Sequence, residues 1–156
     1  MNTFFVSTNI QEFRRLLQSE RSATLLIEVL YHYRAQHEYL LHEFVVMPNH
    51  LHLILSPTAA VTIEKTMQLI KAGFSFRAKK AFGWKEVIWH RSFNDRRLRN
   101  ATEYSNAREY LLDNPAKAGI CLRAKEWPYS SATGTFELDE IPQRLKPLSC
   151  RHSSHG

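Results

Sequence analysis

Two strand-like runs flank a Pro-Asn turn between Tyr39 and Ser56, and apolar residues recur at helical spacing on both sides of them. With an aromatic, β-branched opening at Thr3–Ser7, these patterns predict an α+β protein: a ferredoxin-like antiparallel sheet with packed helices. The expected order is strand, helix, strand, strand, helix, strand, helix. TFFVS forms the first strand. Asn9 is placed to cap a helix on which Phe13, Leu16 and Leu17 recur, continuing through Leu25, Leu26, Val29 and Leu30 to Tyr33, with a break near Ser22. YLLHEFVVM and HLHLILS make an antiparallel pair around Pro48-Asn49. Ile63, Met67, Ile70 and Phe74 restore the 3.6 period, giving a helix from Thr62 towards Ala81 that Gly83 ends. Glu86–Trp89 is the candidate last strand. Thr102–Asp113 is the last helix, stopped near Pro115 because a residue before proline avoids the α region.

At 156 residues the chain fits one domain, expected over 1–135, with 136–156 as a partly disordered tail. It is too short for an eight-stranded α/β barrel. Hydrophobic residues at 44% and charged residues at 23% exclude disorder and fibre. Cys121 and Cys150 form no CxxC pair, which suits a reducing cytosol. MNTFFVSTNI has no basic run before an apolar stretch, and TLLIEVL carries a charge and is far shorter than a membrane span. The expectation is a soluble cytoplasmic protein, monomer or homodimer, with no membrane partner.

Lys plus Arg exceed Asp plus Glu by six, and the excess is local. Residues 65–99 carry ten basic side chains (Lys65, Lys71, Arg77, Lys79, Lys80, Lys85, Arg91, Arg96, Arg97, Arg99) against two acids, while the rest of the chain is slightly acidic. A solvated helix face is the ordinary reading of such a run. Against it, Phe74, Phe76, Phe82, Trp84, Trp89 and Phe93 are interleaved with the cations, the composition of a single-strand nucleic-acid groove. Lys71, Arg77, Lys79, Lys80, Arg91, Arg96, Arg97 and Arg99 are the expected DNA-phosphate contacts.

Within NHLHLIL, strand alternation puts His50 and His52 on one face and Leu51, Leu53 and Leu55 on the other. Two imidazoles one pleat apart can converge on one metal ion, though HxH alone is more often structural. Tyr110 and Asn114, four apart on the last helix, share a face. A helical Tyr is usually packing, and Asn before Pro usually a helix stop. Taken with the histidines they form a coherent site: two nitrogens and an amide oxygen for a divalent Mg²⁺ or Mn²⁺, and a phenol beside them. Tyrosine titrates near 10, so it is a poor nucleophile at neutral pH unless a cation polarises the phosphate it attacks. The product would be a 5′-phosphotyrosine and a free 3′-hydroxyl, a bond that lets the strand be rejoined without ATP.

Val46-Met47-Pro48-Asn49-His50-Leu51-His52-Leu53 resembles the HUH motif of single-tyrosine transposases, in which U is a bulky apolar residue, here Leu51. Trp89-His90-Arg91-Ser92-Phe93-Asn94-Asp95-Arg96, Tyr110-Leu111-Leu112-Asp113-Asn114-Pro115-Ala116-Lys117-Ala118-Gly119 and Trp127-Pro128-Tyr129-Ser130-Ser131 resemble three further blocks in the same order. The likeness spans Phe4 to Ser131 and is nearest to the REP-associated tyrosine transposases. It implies the HUH nuclease fold with an RRM-like sheet, and a metal-dependent single-strand DNA endonuclease and strand transferase. Tyr110 takes the nucleophile position, His50 and His52 the metal positions, and Asn114 that of a third, amide-type ligand. It also implies DNA recognised as a hairpin beside a single-stranded guide sequence.

The first strand matches the family only loosely, His90 stands where a Gln or another polar residue is expected, and Phe136–Glu140 is acidic where a basic extension is usual. Tyr104 and Tyr129 compete as nucleophiles. Tyr104 has Arg108 rather than an amide or carboxylate four residues on, and Tyr129 falls in an expected loop, so Tyr110 ranks first. His32, His37 and His42 read as surface or strand-end residues, and His152 and His155 as tail. Two other readings fit the residues. One is an RRM-like binding module without chemistry; the other is an HxH metal hydrolase with Glu43 as general base.

Overall fold

In a computed structural model, residues 1–148 are described. Four strands, β1 (Thr3–Asn9), β2 (Tyr39–Met47), β3 (His50–Pro57) and β4 (Asn94–Leu98), form one antiparallel sheet in the order β2-β3-β1-β4. Three helices complete the α+β fold: α1 (Glu20–Ala35), α2 (Ile63–Phe82) and α3 (Ala101–Lys117). That strand order is the ferredoxin-like one, in which two β-α-β units interleave. Alternation sends Val6, Leu51, Leu53, Leu55, Phe44 and Val46 to a core closed by Leu26 and Leu30 of α1 and Met67, Ile70 and Phe74 of α2. Val45, Met47 and Ile54 point the other way, onto Ala107 and Leu111 of α3. The sheet is thus covered on both faces, and α3 leaves one corner of its face open. Gly73 brings α2 close to α1: a Cβ there would lie 2.7 Å from the Tyr33 hydroxyl.

Three element boundaries differ from the sequence expectation. Asn9 ends β1 instead of capping a helix. A short 3-10 turn follows at Gln11–Phe13, in which Glu12 and Phe13 both have positive φ, and α1 begins only after Ser19, whose hydroxyl accepts from the Ser22 amide. Glu86–Trp89 is not a strand: Trp89 makes one isolated bridge to Ile10. The fourth strand is Asn94–Leu98, all exposed but for Leu98. An edge strand pairs through its backbone and needs no apolar alternation, so NDRRL gives no strand signal. Helix α3 passes through Pro115 to Lys117. Pro115 has no N–H to return to the Leu111 carbonyl, so the helix runs only two residues past it, and the Pro115 carbonyl accepts from Ile120.

The segment read as a tail from 136 is packed where it is described. Phe136 meets Phe44 and Tyr31, the Asp139 amide donates to the Leu41 carbonyl, and Leu145 is buried beyond Pro142, where fraying was expected. Residues 149–156, including Cys150, His152 and His155, lie outside the described residues. Asp139 is the clamp: its carboxylate accepts from Arg34 at 2.8 and 2.9 Å and from the Leu41 amide at 2.8 Å. The Arg34 guanidinium holds its pKa below the ordinary carboxylate value. Asp139→Ala is expected to cost about 1–3 kcal/mol, since a charge-assisted pair and a strand amide lose their partner. A denaturant melt reads this; no change would mean the segment is not part of the folding unit. His42, read as a surface or strand-end residue, is buried: Nδ1 lies 2.8 Å from the Asp139 carbonyl and Nε2 2.8 Å from Ser56 Oγ.

Candidate functional site

The site forms where β1, β3 and α3 meet. His52 pairs in register with Ser7, and His50 with Asn9. The imidazole centres of His50 and His52 are 4.7 Å apart, and the Tyr110 ring stands edge-on 5.6 Å from His52. One turn further along α3, the Asn114 amide oxygen lies 3.2 Å from His50 Nε2. Phe5 stacks on His52 at 5.4 Å and meets the Tyr110 ring edge-on at 5.9 Å. The four side chains proposed from spacing therefore converge, at the open corner of the sheet. Tyr110 is 49% exposed and its hydroxyl makes no hydrogen bond among the described residues, so it is free to meet a ligand.

Burial keeps both imidazoles uncharged. Burial pushes the His52 pKa down to about 3, with the neighbouring His50 adding to the effect. Burial lowers His50 too, against the contact with Asn114. Both rings are neutral at pH 7, with a lone pair each. His50 Nδ1 lies 2.7 Å from Asn49 Oδ1, and His52 Nδ1 2.6 Å from Ser7 Oγ. A neutral imidazole donates from one nitrogen only. With Nδ1–H given to Asn49, the lone pair of His50 Nε2 faces the Asn114 oxygen, two electron donors side by side, which a cation between them would relieve. With Nδ1–H given to Ser7, His52 Nε2 is likewise freed. Among the described residues no three His, Cys, Asp or Glu side chains converge. A cation here would be held by two imidazoles and an amide, with positions open for phosphate oxygens.

Sequence spacing did not point to Ser7, Phe5 or Asn49. The first two reach His52 only through the β1–β3 register, a non-local pairing, and Asn49 carried a signal only as a neighbour of His50. Lys117, two turns beyond Tyr110, sets its ammonium 5.9 Å from that ring.

The basic residues divide between two places. Lys71, Lys79 and Arg91 line a groove of about 530 Å³ between α2 and the segment after it. Lys71 is a brace there: its ammonium donates to the His90 carbonyl at 2.7 Å, and burial lowers its pKa. Arg77 and Lys80 also lie on α2, on the face of the sheet away from Tyr110. Arg96, Arg97 and Arg99 are exposed along and just after β4, and Arg96 reaches the site. The interleaved rings prove mostly structural. Phe74 and Trp89 are buried, Phe82, Trp84 and Phe93 pack against the core, and Phe76 alone of the six is exposed. Of the competing tyrosines, Tyr104 is raised to about 12 by burial and packs near Arg108 and Glu43. Glu43 is itself buried, 3.7 Å from Arg108, and lines a different cavity.

Residues 8–114 match the family described as Transposase IS200 like. The chain is 26% identical over 147 residues to the REP-associated tyrosine transposase of Escherichia coli strain K12, over 94% of this chain and 82% of that protein. A Haemophilus influenzae Rd protein provisionally assigned as a REP-associated tyrosine transposase is 26% identical over 108 residues. That match covers 63% of this chain and 61% of the relative, less than two thirds of its length. The solved structure of a REP-associated tyrosine transposase bound to a REP hairpin shares the fold, with a TM-score of 0.71 at 24% identity over 95% of this chain and 89% of that one. No helix among the described residues is long and apolar enough to cross a membrane.

Proposed function

The chain belongs to the IS200-like transposases, a family of enzymes acting on DNA, and on that premise we propose that it cuts and rejoins single-stranded DNA through a covalent bond to Tyr110. The observation that carries this reading is the meeting of an exposed, unbonded phenol with two neutral imidazoles and the Asn114 amide. Tyr110 Oη attacks the scissile phosphorus, an O–P bond forms, and the P–O3′ bond breaks. The phenol proton passes to solvent, and the departing 3′ oxygen takes one up to become a free hydroxyl. The 5′-phosphotyrosine keeps the energy of the phosphodiester, so a second 3′-hydroxyl can reverse the step without ATP. Mg²⁺ or Mn²⁺ held by His50, His52 and Asn114 would supply the Lewis acidity that polarises the phosphate. The DNA is a hairpin with a single-stranded flank, the reading supported by family membership and by the cations on α2 and β4.

The test is covalent capture with a library of 3′-labelled, hairpin-bearing single-stranded oligonucleotides, with Mg²⁺ or Mn²⁺ and with EDTA. A denaturant-resistant labelled band that EDTA abolishes is the expected result. Strands cut with both ends free would replace it with hydrolysis; binding alone would leave a module without chemistry.

Ser7 gives a separate check on the cation. Its hydroxyl lies 2.6 Å from His52 Nδ1 and, by accepting Nδ1–H, leaves Nε2 for the ion, so Ser7→Ala is expected to weaken Mn²⁺ binding roughly 10–100-fold, the usual effect of losing a partner behind a ligand. Titration of free Mn²⁺ by electron paramagnetic resonance measures this without DNA. Unchanged affinity would remove Ser7, and with it the Nε2 assignment for His52.

A further inference from the structure

Beside Tyr110, in the corner of the sheet that α3 leaves open, lies a groove of about 310 Å³ lined by Phe5, Ser7, Asn94, Asp95, Arg96 and Tyr110. We infer that this groove is a nucleobase pocket for the nucleotide flanking the scissile phosphate; the inference rests on the DNA reading above and deepens it.

Three features of the groove support this. The first is an aromatic wall on a sheet. Phe5 projects from β1 on the same face as His52, is only half-buried, and stacks on that imidazole. Rings on the strands of RRM-like sheets are the surfaces on which unpaired bases stack. The second is a planar cation. Arg96 stands opposite Phe5 in the β1–β4 register, with its guanidinium carbon 5.9 Å from the ring centre. It makes no ion pair among the described residues, although Asp95 is its neighbour. A guanidinium can stack on a base and pair with a phosphate oxygen at once. The third is an unused amide. Asn94 pairs with Ser7 across the strands, is exposed, and its side chain makes no hydrogen bond among the described residues. A carboxamide offers a donor and an acceptor together, the pattern that reads a base edge.

Each of these groups has a simple explanation alone, since exposed side chains on an edge strand commonly lack partners. Their position distinguishes them. The ring, the amide and the guanidinium line one groove with the phenol that attacks phosphorus, so a nucleotide held there is the one whose phosphate Tyr110 meets. A base fixed on Phe5 would hold that phosphate still, and orientation of this kind is what an exposed nucleophile lacks.

The test is a cycle between the DNA and the protein. An oligonucleotide that Tyr110 captures covalently is resynthesised with an abasic site at each of the two nucleotides flanking the cut. Adduct rates are measured for the wild type, Asn94→Ala and Arg96→Ala, both substitutions being at exposed positions of β4. For the wild type, removing one of the two bases is expected to slow adduct formation roughly 5- to 100-fold, the range for losing one stacked base. In the variants the same deletion is expected to cost several-fold less, because one of the groups that held the base is already gone. A wild type indifferent to both abasic sites, or a penalty unchanged in both variants, would overturn the pocket while leaving the phosphotyrosine chemistry in place. Absence of any adduct with intact DNA would instead sink the chemistry and the pocket together.

Discussion

Tyr110→Phe is expected to abolish the protein–DNA adduct and to lower strand transfer by roughly 10⁶-fold, the size of the loss on deleting a nucleophile. The substitution removes one oxygen that has no hydrogen-bond partner among the described residues, while the ring keeps its contacts with Phe5, His52 and Lys117. Stability should stay within about 0.5 kcal/mol of the wild type, as for other exposed changes without a broken partner. Hairpin binding, followed by fluorescence anisotropy, should survive for the same reason. Tyr104→Phe is the matched control. Its hydroxyl sits by Arg108 and Glu43 and lines a different cavity, so adduct formation should be unchanged. If Tyr110→Phe still cuts and the products have two free ends, water is the nucleophile and the phenol is only packing.

The parts of this site legible in the sequence are those set by local periodicity. His50 and His52 share a face because a strand alternates, and Tyr110 and Asn114 because a helix returns after four residues. The parts that were not legible depend on which strands become neighbours. Ser7 reaches His52, and Asn94 and Arg96 reach Phe5, only through the register of β1 with β3 and β4. The same reason explains the misplaced fourth strand. Edge strand β4 pairs on one side only and is polar, so nothing in NDRRL records its partner, whereas the apolar EVIW beside it invited the assignment. Composition also misled about the rings after residue 70. Phe74 and Trp89 meet at 5.7 Å inside the core, and the alternation of Phe74 with the lysines of α2 reflects a helix with one wet face.

His52→Ala is expected to remove metal-supported cleavage and to alter the acid stability of the protein, with the sign set by burial. The folded pKa of His52, about 3, lies below the ordinary histidine value of 6.5. Between those values the unfolded chain takes up a proton that the folded chain refuses. Stability is therefore complete above pH 6.5 and is lost as pH falls towards 3, at up to about 1.4 kcal/mol per pH unit from one such group. His50 is lowered by burial as well and adds to the slope. Alanine removes the titrating group, so denaturant melts of His52→Ala should show a shallower acid limb than the wild type. At pH 7 the imidazole is lost from a buried position stacked on Phe5, and the resulting cavity costs stability there. The two proteins should therefore converge as pH falls, a pattern that simple loss of packing would not give. The Mn²⁺ titration separates the second role. With His52 neutral down to about pH 3 and His50 lowered by burial as well, the pair can bind a cation where free histidine would be protonated, so wild-type Mn²⁺ binding should persist below pH 6. Loss of that binding in both His50→Ala and His52→Ala would tie the pair to one ion, whereas binding that survives either change would place the cation elsewhere.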